Sequence, residues 1–245
     1  MKKKVLLVLF FIALILIGVG IFFYFDKSND VKQTELLEKA YKSYEDNIND
    51  LNNYLGYAYP IEDVSGAKLQ DILYFAFMNL ESDNKNTEFS SEELREIVTK
   101  YFGSDFAYQD TNISKPSGEL YYNYDAANNK YVRNLASNPY DNFARSRFYI
   151  LNKEYDKNTD TITIKGQVLY CDYADDYYGP VFRYYSSYKD SAEKKNIIYT
   201  DPEPNEDIDK FDLVYEKTKD KLPIVSYVLG KDSNGSYVLK SINIG

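Results

Sequence analysis

VSYVLGKDSNGSYVLKSINI, residues 225–244, carries the pattern that decides the fold. Two runs rich in β-branched, aromatic and aliphatic residues flank a polar centre, and Asn-Gly is the pair most favoured in a two-residue type I′ hairpin turn. With Asn234 and Gly235 as the turn, Val225 stands opposite Ile244, Tyr227 opposite Ile242 and Lys231 opposite Val238. This register gathers Val225, Tyr227, Leu229, Val238, Ile242 and Ile244 on one face and leaves Ser226, Asp232, Ser241 and Asn243 on the other. The pattern describes an antiparallel hairpin with one buried face.

The same period of two extends upstream. In residues 161–170, Ile162, Ile164, Val168 and Tyr170 alternate with Thr161, Thr163, Lys165 and Gln167, and the turn DKNTD at 156–160 joins this run to 148–155. A second hairpin pairs 120–124 with 131–135 across DAANN at 125–129. Residues 173–209 read as irregular, broken by Gly179-Pro180 and DPEPN at 201–205, with one short strand at 197–200. Residues 211–222 fit helix or strand, with helix preferred.

Ahead of residue 105 the period changes to that of a helix. Leu36, Leu37, Ala40, Tyr41, Tyr44, Ile48, Leu51 and Leu55 recur at three- and four-residue steps and end before Gly56. A second helix spans about 67–80, with Ser65 as its expected N-cap. In the third, Ser90 and Glu93 form a capping box, Leu94, Ile97, Val98, Tyr101 and Phe102 form the apolar stripe, and Gly103 closes it. Amphipathic helices followed by antiparallel strands give an α+β class, about three helices packed on an antiparallel meander sheet.

The N-terminus sets topology. Residues 5–25 are uncharged, and a helix of that length is about 30 Å long, the thickness of a bilayer's hydrocarbon core. Lys2, Lys3 and Lys4 precede it and Asp26 follows, so the positive-inside bias puts the N-terminus in the cytoplasm. A cleaved signal peptide would end near Gly18-Val19-Gly20, but the apolar run continues to Phe25, which favours a retained transmembrane anchor. The expected organisation is a cytoplasmic tail at 1–4, an anchor at 5–25, a tether at 26–34 and an extracytoplasmic domain at 35–245.

Three of the 29 basic residues lie before the anchor, leaving 26 against 38 acidic residues outside it, a net charge of −12. That balance excludes nucleic acid as a partner class. The chain has no His, which removes Ser-His-Asp and Cys-His nucleophiles, the HExxH zinc site and every imidazole metal ligand. Cys171 is the one cysteine, so no intrachain disulfide forms, and its strand parity with Thr163 and Gln167 marks a packed thiol.

The Lys-flanked anchor, the amphipathic helix, the segment from Glu93 to Gly103 and the closing hairpin resemble uncharacterised single-pass exported proteins of low-GC Gram-positive bacteria. The order of elements resembles the helix-wrapped curved sheets of the cystatin-like and NTF2-like folds. The resemblance transfers no catalytic residue.

Three motifs invite a chemical reading. Ser65-Gly-Ala-Lys68 and Ser82-Asp83-Asn84 resemble the SxxK and SDN elements of penicillin-binding proteins, but they lie too close together and no Lys-Thr-Gly triplet occurs. Asp156-x-Asn158-x-Asp160 and Asp232-x-Asn234-x-Ser236 copy the start of a calcium loop without the Gly at position six or the Glu at twelve, and read as Asx turns. The acidic group Asp172, Asp175, Asp176 reads as a solvated loop. No metal site, cofactor or catalytic residue is expected from these patterns.

Seven tyrosines, Tyr170, Tyr173, Tyr177, Tyr178, Tyr184, Tyr185 and Tyr188, crowd into nineteen residues beside Arg183. Tyrosine offers a broad contact face with a polar tip at low entropic cost. The expected binding surface is therefore 173–188, with Tyr177, Tyr178, Tyr184 and Tyr185 as contacts and Arg183 as a charged anchor. The expected function is a membrane-anchored extracytoplasmic binding or interaction module, its ligand a cell-wall glycan, a peptide or an envelope protein. The rival reading is a His-independent cell-wall hydrolase acting through paired carboxylates.

Overall fold

The computed structural model describes residues 34–35, 37–42, 44, 48–80, 87–137, 145–176, 179–201 and 210–245, with side chains of 173–176 and 179–180 excepted. The anchor and residues 26–33 of the tether therefore lie outside the described residues, while Thr34 is helical. Among the described residues no helix is long and apolar enough to cross a membrane. The chain divides into two compact units, 1–46 and 47–245. In the first, every described residue from Thr34 to Tyr44 is helical, in keeping with the periodicity that starts at Glu35.

The second unit is α+β with two antiparallel sheets. Its first helix, α1 (Ile48–Leu55), buries Ile48, Leu51, Asn52 and Leu55. Helix α2 (Leu69–Met78) buries six consecutive residues, Ile72 through Phe77, because its neighbours surround it rather than cover one stripe. Its N-terminus departs from expectation. The helix starts at Leu69, and Asp63, not Ser65, provides a cap: its carboxylate accepts the Ser65 N–H at 2.8 Å and closes a 3-10 turn at Val64–Gly66. Helix α3 (Ser91–Phe102) forms as read, with the Ser90/Glu93 capping box in both directions and Gly103 at its end.

A small sheet has the order β1-β4-β3-β2, from β1 (Glu88–Ser90), β2 (Ile113–Ser114), β3 (Leu120–Asp125) and β4 (Lys130–Arg133). The expected hairpin is its centre, paired from Asp125↔Lys130 outward. Asp110 ties α3 to this sheet: its carboxylate accepts the hydroxyls of Ser91, Tyr108 (2.7 Å) and Tyr131 (3.0 Å), with Arg95 3.4 Å away.

The large sheet has the order β10-β9-β6-β7-β8, with β5 on β6. Its strands are β5 (Arg145–Asp156), β6 (Thr161–Asp176), β7 (Gly179–Tyr185), β8 (Tyr199–Asp201), β9 (Val225–Lys231) and β10 (Tyr237–Ile244). This is not the simple meander read from the chain, because β9 returns to pair with β6. Residues 173–176 and 179–185 are strand rather than an irregular run, since β6 and β7 pair there. Helix α4 (Tyr188–Glu193) follows, capped by the Ser187 hydroxyl, and α5 (Phe211–Thr218) continues into a 3-10 turn at Lys219–Lys221.

The closing hairpin keeps half of its expected register. Val225↔Ile244 and Tyr227↔Ile242 pair as read, but Lys231 pairs with Tyr237 rather than Val238. The turn is one residue longer than type I′: Ser233, Asn234 and Gly235 form it, Asp232 N–H donates to the Ser236 carbonyl at 2.9 Å, and only Gly235 has positive φ (+81°). A bulge at Lys240, between Leu239 and Ser241, restores the register.

β6 alternates buried and half-buried from Thr161 to Lys165, then is buried on both faces from Gly166 to Cys171. One face joins the main core. On the other, Leu169, Cys171 and Tyr184 pack against Val214, Tyr215 and Leu222 of α5 and the turn after it. Gln167 fastens that layer, donating to the Lys219 and Leu222 carbonyls (both 2.8 Å) and accepting the Tyr215 hydroxyl at 2.9 Å.

Candidate functional site

β9 pairs with β6 only as far as Gly166, and β7 pairs with it only from Tyr170. Residues 167–169 are left with β5 on one side and no strand on the other, so the large sheet carries a notch. Over the core-facing side of this notch lie the 3-10 turn Gly56–Ala58, Tyr59, the segment Ser186 to Glu193 including α4, and Pro223. They enclose a cleft of about 470 Å³, within the range of small-ligand sites.

Four tyrosines line it: Tyr57, Tyr59, Tyr170 and Tyr188. Tyr188 stands between two others, its ring 5.9 Å from Tyr57 at 59° and 6.0 Å from Tyr170 at 87°. Tyr57 donates to Asp71 at 3.3 Å. The Tyr59 hydroxyl bonds that of Tyr227 at 3.0 Å, and Tyr227 in turn donates to buried Asn52. Tyr170 differs from these: its residue is 3% exposed, its hydroxyl stands where a side chain on Gly56 would lie, and it has no hydrogen-bond partner among the described residues. Burial raises the pKa of Tyr57, Tyr59 and Tyr170 far above the usual phenol value, so all three stay neutral at physiological pH. Val168, Val225, Ile244, Pro116 and Pro223 complete an apolar wall, and Lys189 and Glu193 supply one charge of each sign.

The tyrosine-rich segment meets this cleft at its two ends, Tyr170 and Tyr188, and not at its middle. Tyr177 and Tyr178 lie outside the described residues. Tyr184 and Tyr185 are corrected from contact residues to core residues, 2% and 0% exposed. The Tyr184 ring packs on Tyr199 and Phe211 in the α5 layer, while Tyr185 lies cross-strand from Tyr170. The two alternate faces because β7 is a strand. Arg183 is half-buried and in register with Asp172, whose second carboxylate oxygen is buried and lies 3.6 Å from Lys194. Tyr57 and Tyr59 come from more than a hundred residues upstream, and no local signal marked them.

The remaining motifs are structural. Ser65 and Lys68 are both exposed, and Ser82-Asp83-Asn84 lies outside the described residues. Asp160 spends its carboxylate on Tyr155 (2.9 Å), Tyr237 and Lys231 (2.7 Å), which join the 156–160 turn to the closing hairpin. Asp232 accepts the N–H groups of Asn234 and Ser236. No group of three potential metal-ligating side chains occurs among the described residues. Cys171 is buried and its thiol pKa is pushed up to about 12 by burial. Comparison of the chain with protein-family models, with curated proteins and with solved structures gives no match, so the cleft has to be interpreted from its own chemistry.

Proposed function

We propose that this chain is a membrane-anchored extracytoplasmic binding module of a bacterial cell envelope, and that its ligand seats in the tyrosine-lined notch of the large sheet. The supporting observation is the Tyr170 hydroxyl, which faces an otherwise apolar, aromatic cleft and has no hydrogen-bond partner among the described residues. A ligand group that hydrogen-bonds this hydroxyl as it enters the cleft adds about 1 kcal/mol to the apolar contact. The uncharged run 5–25 behind three lysines supports the location, as does the resemblance to single-pass exported proteins of low-GC Gram-positive bacteria with a helix-covered sheet.

A soluble form beginning near Asp30 tests the reading when used to capture components of an envelope extract, beside a Tyr57→Ala, Tyr188→Ala version confirmed to be folded. A component recovered by the first and lost by the second is expected. Equal recovery of every component by both removes the notch as the binding site. Proteinase treatment of intact cells is expected to degrade the bulk of the chain, and its survival with an intact membrane overturns the extracytoplasmic placement.

A further inference from the structure

We infer that the ligand of the notch is a peptide segment joining an apolar side chain to a basic one, the apolar group resting among the tyrosines and the cation in the acidic depression beside them. The inference rests on the notch being the binding site.

A second depression, of about 600 Å³, shares Tyr57 and Pro116 with the notch as a common wall. A ligand longer than one side chain therefore passes over Tyr57 from one to the other. The chemistry changes along that path. The notch is aromatic and aliphatic with balanced charge, whereas the second depression holds Glu62, Asp63 and Asp71 against Lys68, three carboxylates to one ammonium.

These carboxylates are not equivalent. Asp63 turns back on its own chain to bond the Ser65 N–H. Glu62 is exposed and reaches solvent. Asp71 is half-buried, and among the described residues its carboxylate has one hydrogen bond, the 3.3 Å contact from the Tyr57 hydroxyl. It forms no ion pair among the described residues, and burial raises its pKa. Lys68 acts on Asp71 from a distance and only partly offsets its lost hydration, so this carboxylate gains most from direct pairing with a ligand ammonium or guanidinium. The Tyr57 and Tyr188 rings favour the same sign of charge, since ring faces attract cations. The net charge of −12 beyond the anchor steers a basic segment toward the domain and repels an acidic one.

The test uses the full chain in lipid nanodiscs and fluorescence anisotropy. The probes are a labelled hexapeptide with one phenylalanine and, two residues on, a lysine pair, and its counterpart with glutamines replacing the lysines. The lysine peptide is expected to bind at least about tenfold tighter, and to weaken several-fold between about 50 and 300 mM salt. Asp71→Asn is expected to lower its affinity about fivefold and Glu62→Gln, at an exposed site with no part in the fold, by less. Tyr188→Ala is expected to abolish binding. Equal, Tyr188-dependent affinity for both peptides overturns the basic requirement and leaves the notch as the site. Failure of both peptides while envelope capture stays tyrosine-dependent overturns a peptide ligand. Loss of tyrosine dependence in every assay overturns the proposed function itself.

Discussion

Phe148 occupies the space that a side chain on Gly166 would need: a Cβ there would stand 2.3 Å from Phe148 Cζ and 2.4 Å from the Tyr149 carbonyl oxygen. The crowding faces the point where the β5–β6 register slips between Ile150 and Asn152. Backbone on the far side cannot retreat without breaking that ladder. Gly166→Ala is expected to lower unfolding free energy by about 2 kcal/mol or more, the scale of overpacking in a tight core. An unchanged urea midpoint contradicts it.

α1 guards the start of β5. Asn49 and Asn53, one helical turn apart, accept the Phe148 N–H at 2.9 Å and the Ser146 N–H at 2.8 Å, so the helix supplies acceptors where a neighbouring strand would otherwise do so. Asn53 also accepts the Ser146 hydroxyl at 2.7 Å, so replacing both with Ala removes three bonds and is expected to cost about 3 kcal/mol, near 1 kcal/mol per lost bond, and to raise aggregation on heating. Melting with light scattering reads both effects.

Acid weakens two carboxylate clusters. Hydrogen bonds from Lys231 and Tyr237 bring the Asp160 pKa down to about 2, and hydroxyls from Ser91, Tyr108 and Tyr131 outweigh burial to hold Asp110 below the usual carboxylate range. Both groups release their proton more readily folded than unfolded. Their stabilisation is therefore complete above the unfolded value near 4 and is lost as pH falls, toward about 2 for Asp160. Asp160→Asn is expected to flatten stability across that window, and an identical acid profile in the variant rejects the assignment.

Gly235 has φ +81° with open space around the missing Cβ, so a substitution there meets backbone strain and no clash. Gly235→Val is expected to cost about 1 kcal/mol and Gly235→Asn less, because Asn tolerates the left-handed region. A melting temperature equal to the parent's in Gly235→Val places the turn elsewhere.

Cys171 is expected to resist alkylation at pH 8 in the folded protein and to react at once in denaturant, because burial keeps the thiol protonated. Rapid labelling of the native chain would show that the α5 layer opens.

Elements with a local code were legible. The Ser90/Glu93 box needs only residues three apart, and the hairpins around 125–129 and 156–160 announce themselves by turn residues between alternating runs. The far half of the closing hairpin followed from alternation, yet the near half slipped, since Asp232 binds its own turn through Asn234 and Ser236 and draws in one more residue. The β6–β7 hairpin was not legible, because both faces of β6 are buried from Gly166 to Cys171 and alternation vanishes there.

Alternation, capping and turn chemistry are short-range, so the sequence by itself determined the α+β class, the third helix and the turns of two hairpins, and a 21-residue apolar run places an anchor at 5–25 as an expectation. Tertiary structure alone decided which tyrosines meet. Tyr57 and Tyr59 reach Tyr170 and Tyr188 because β9 and β7 both stop short on β6, and where a strand stops pairing depends on partners far away in the chain. For the same reason Tyr184 and Tyr185, adjacent in sequence and alike in chemistry, were sent to opposite faces of one strand and buried in different layers.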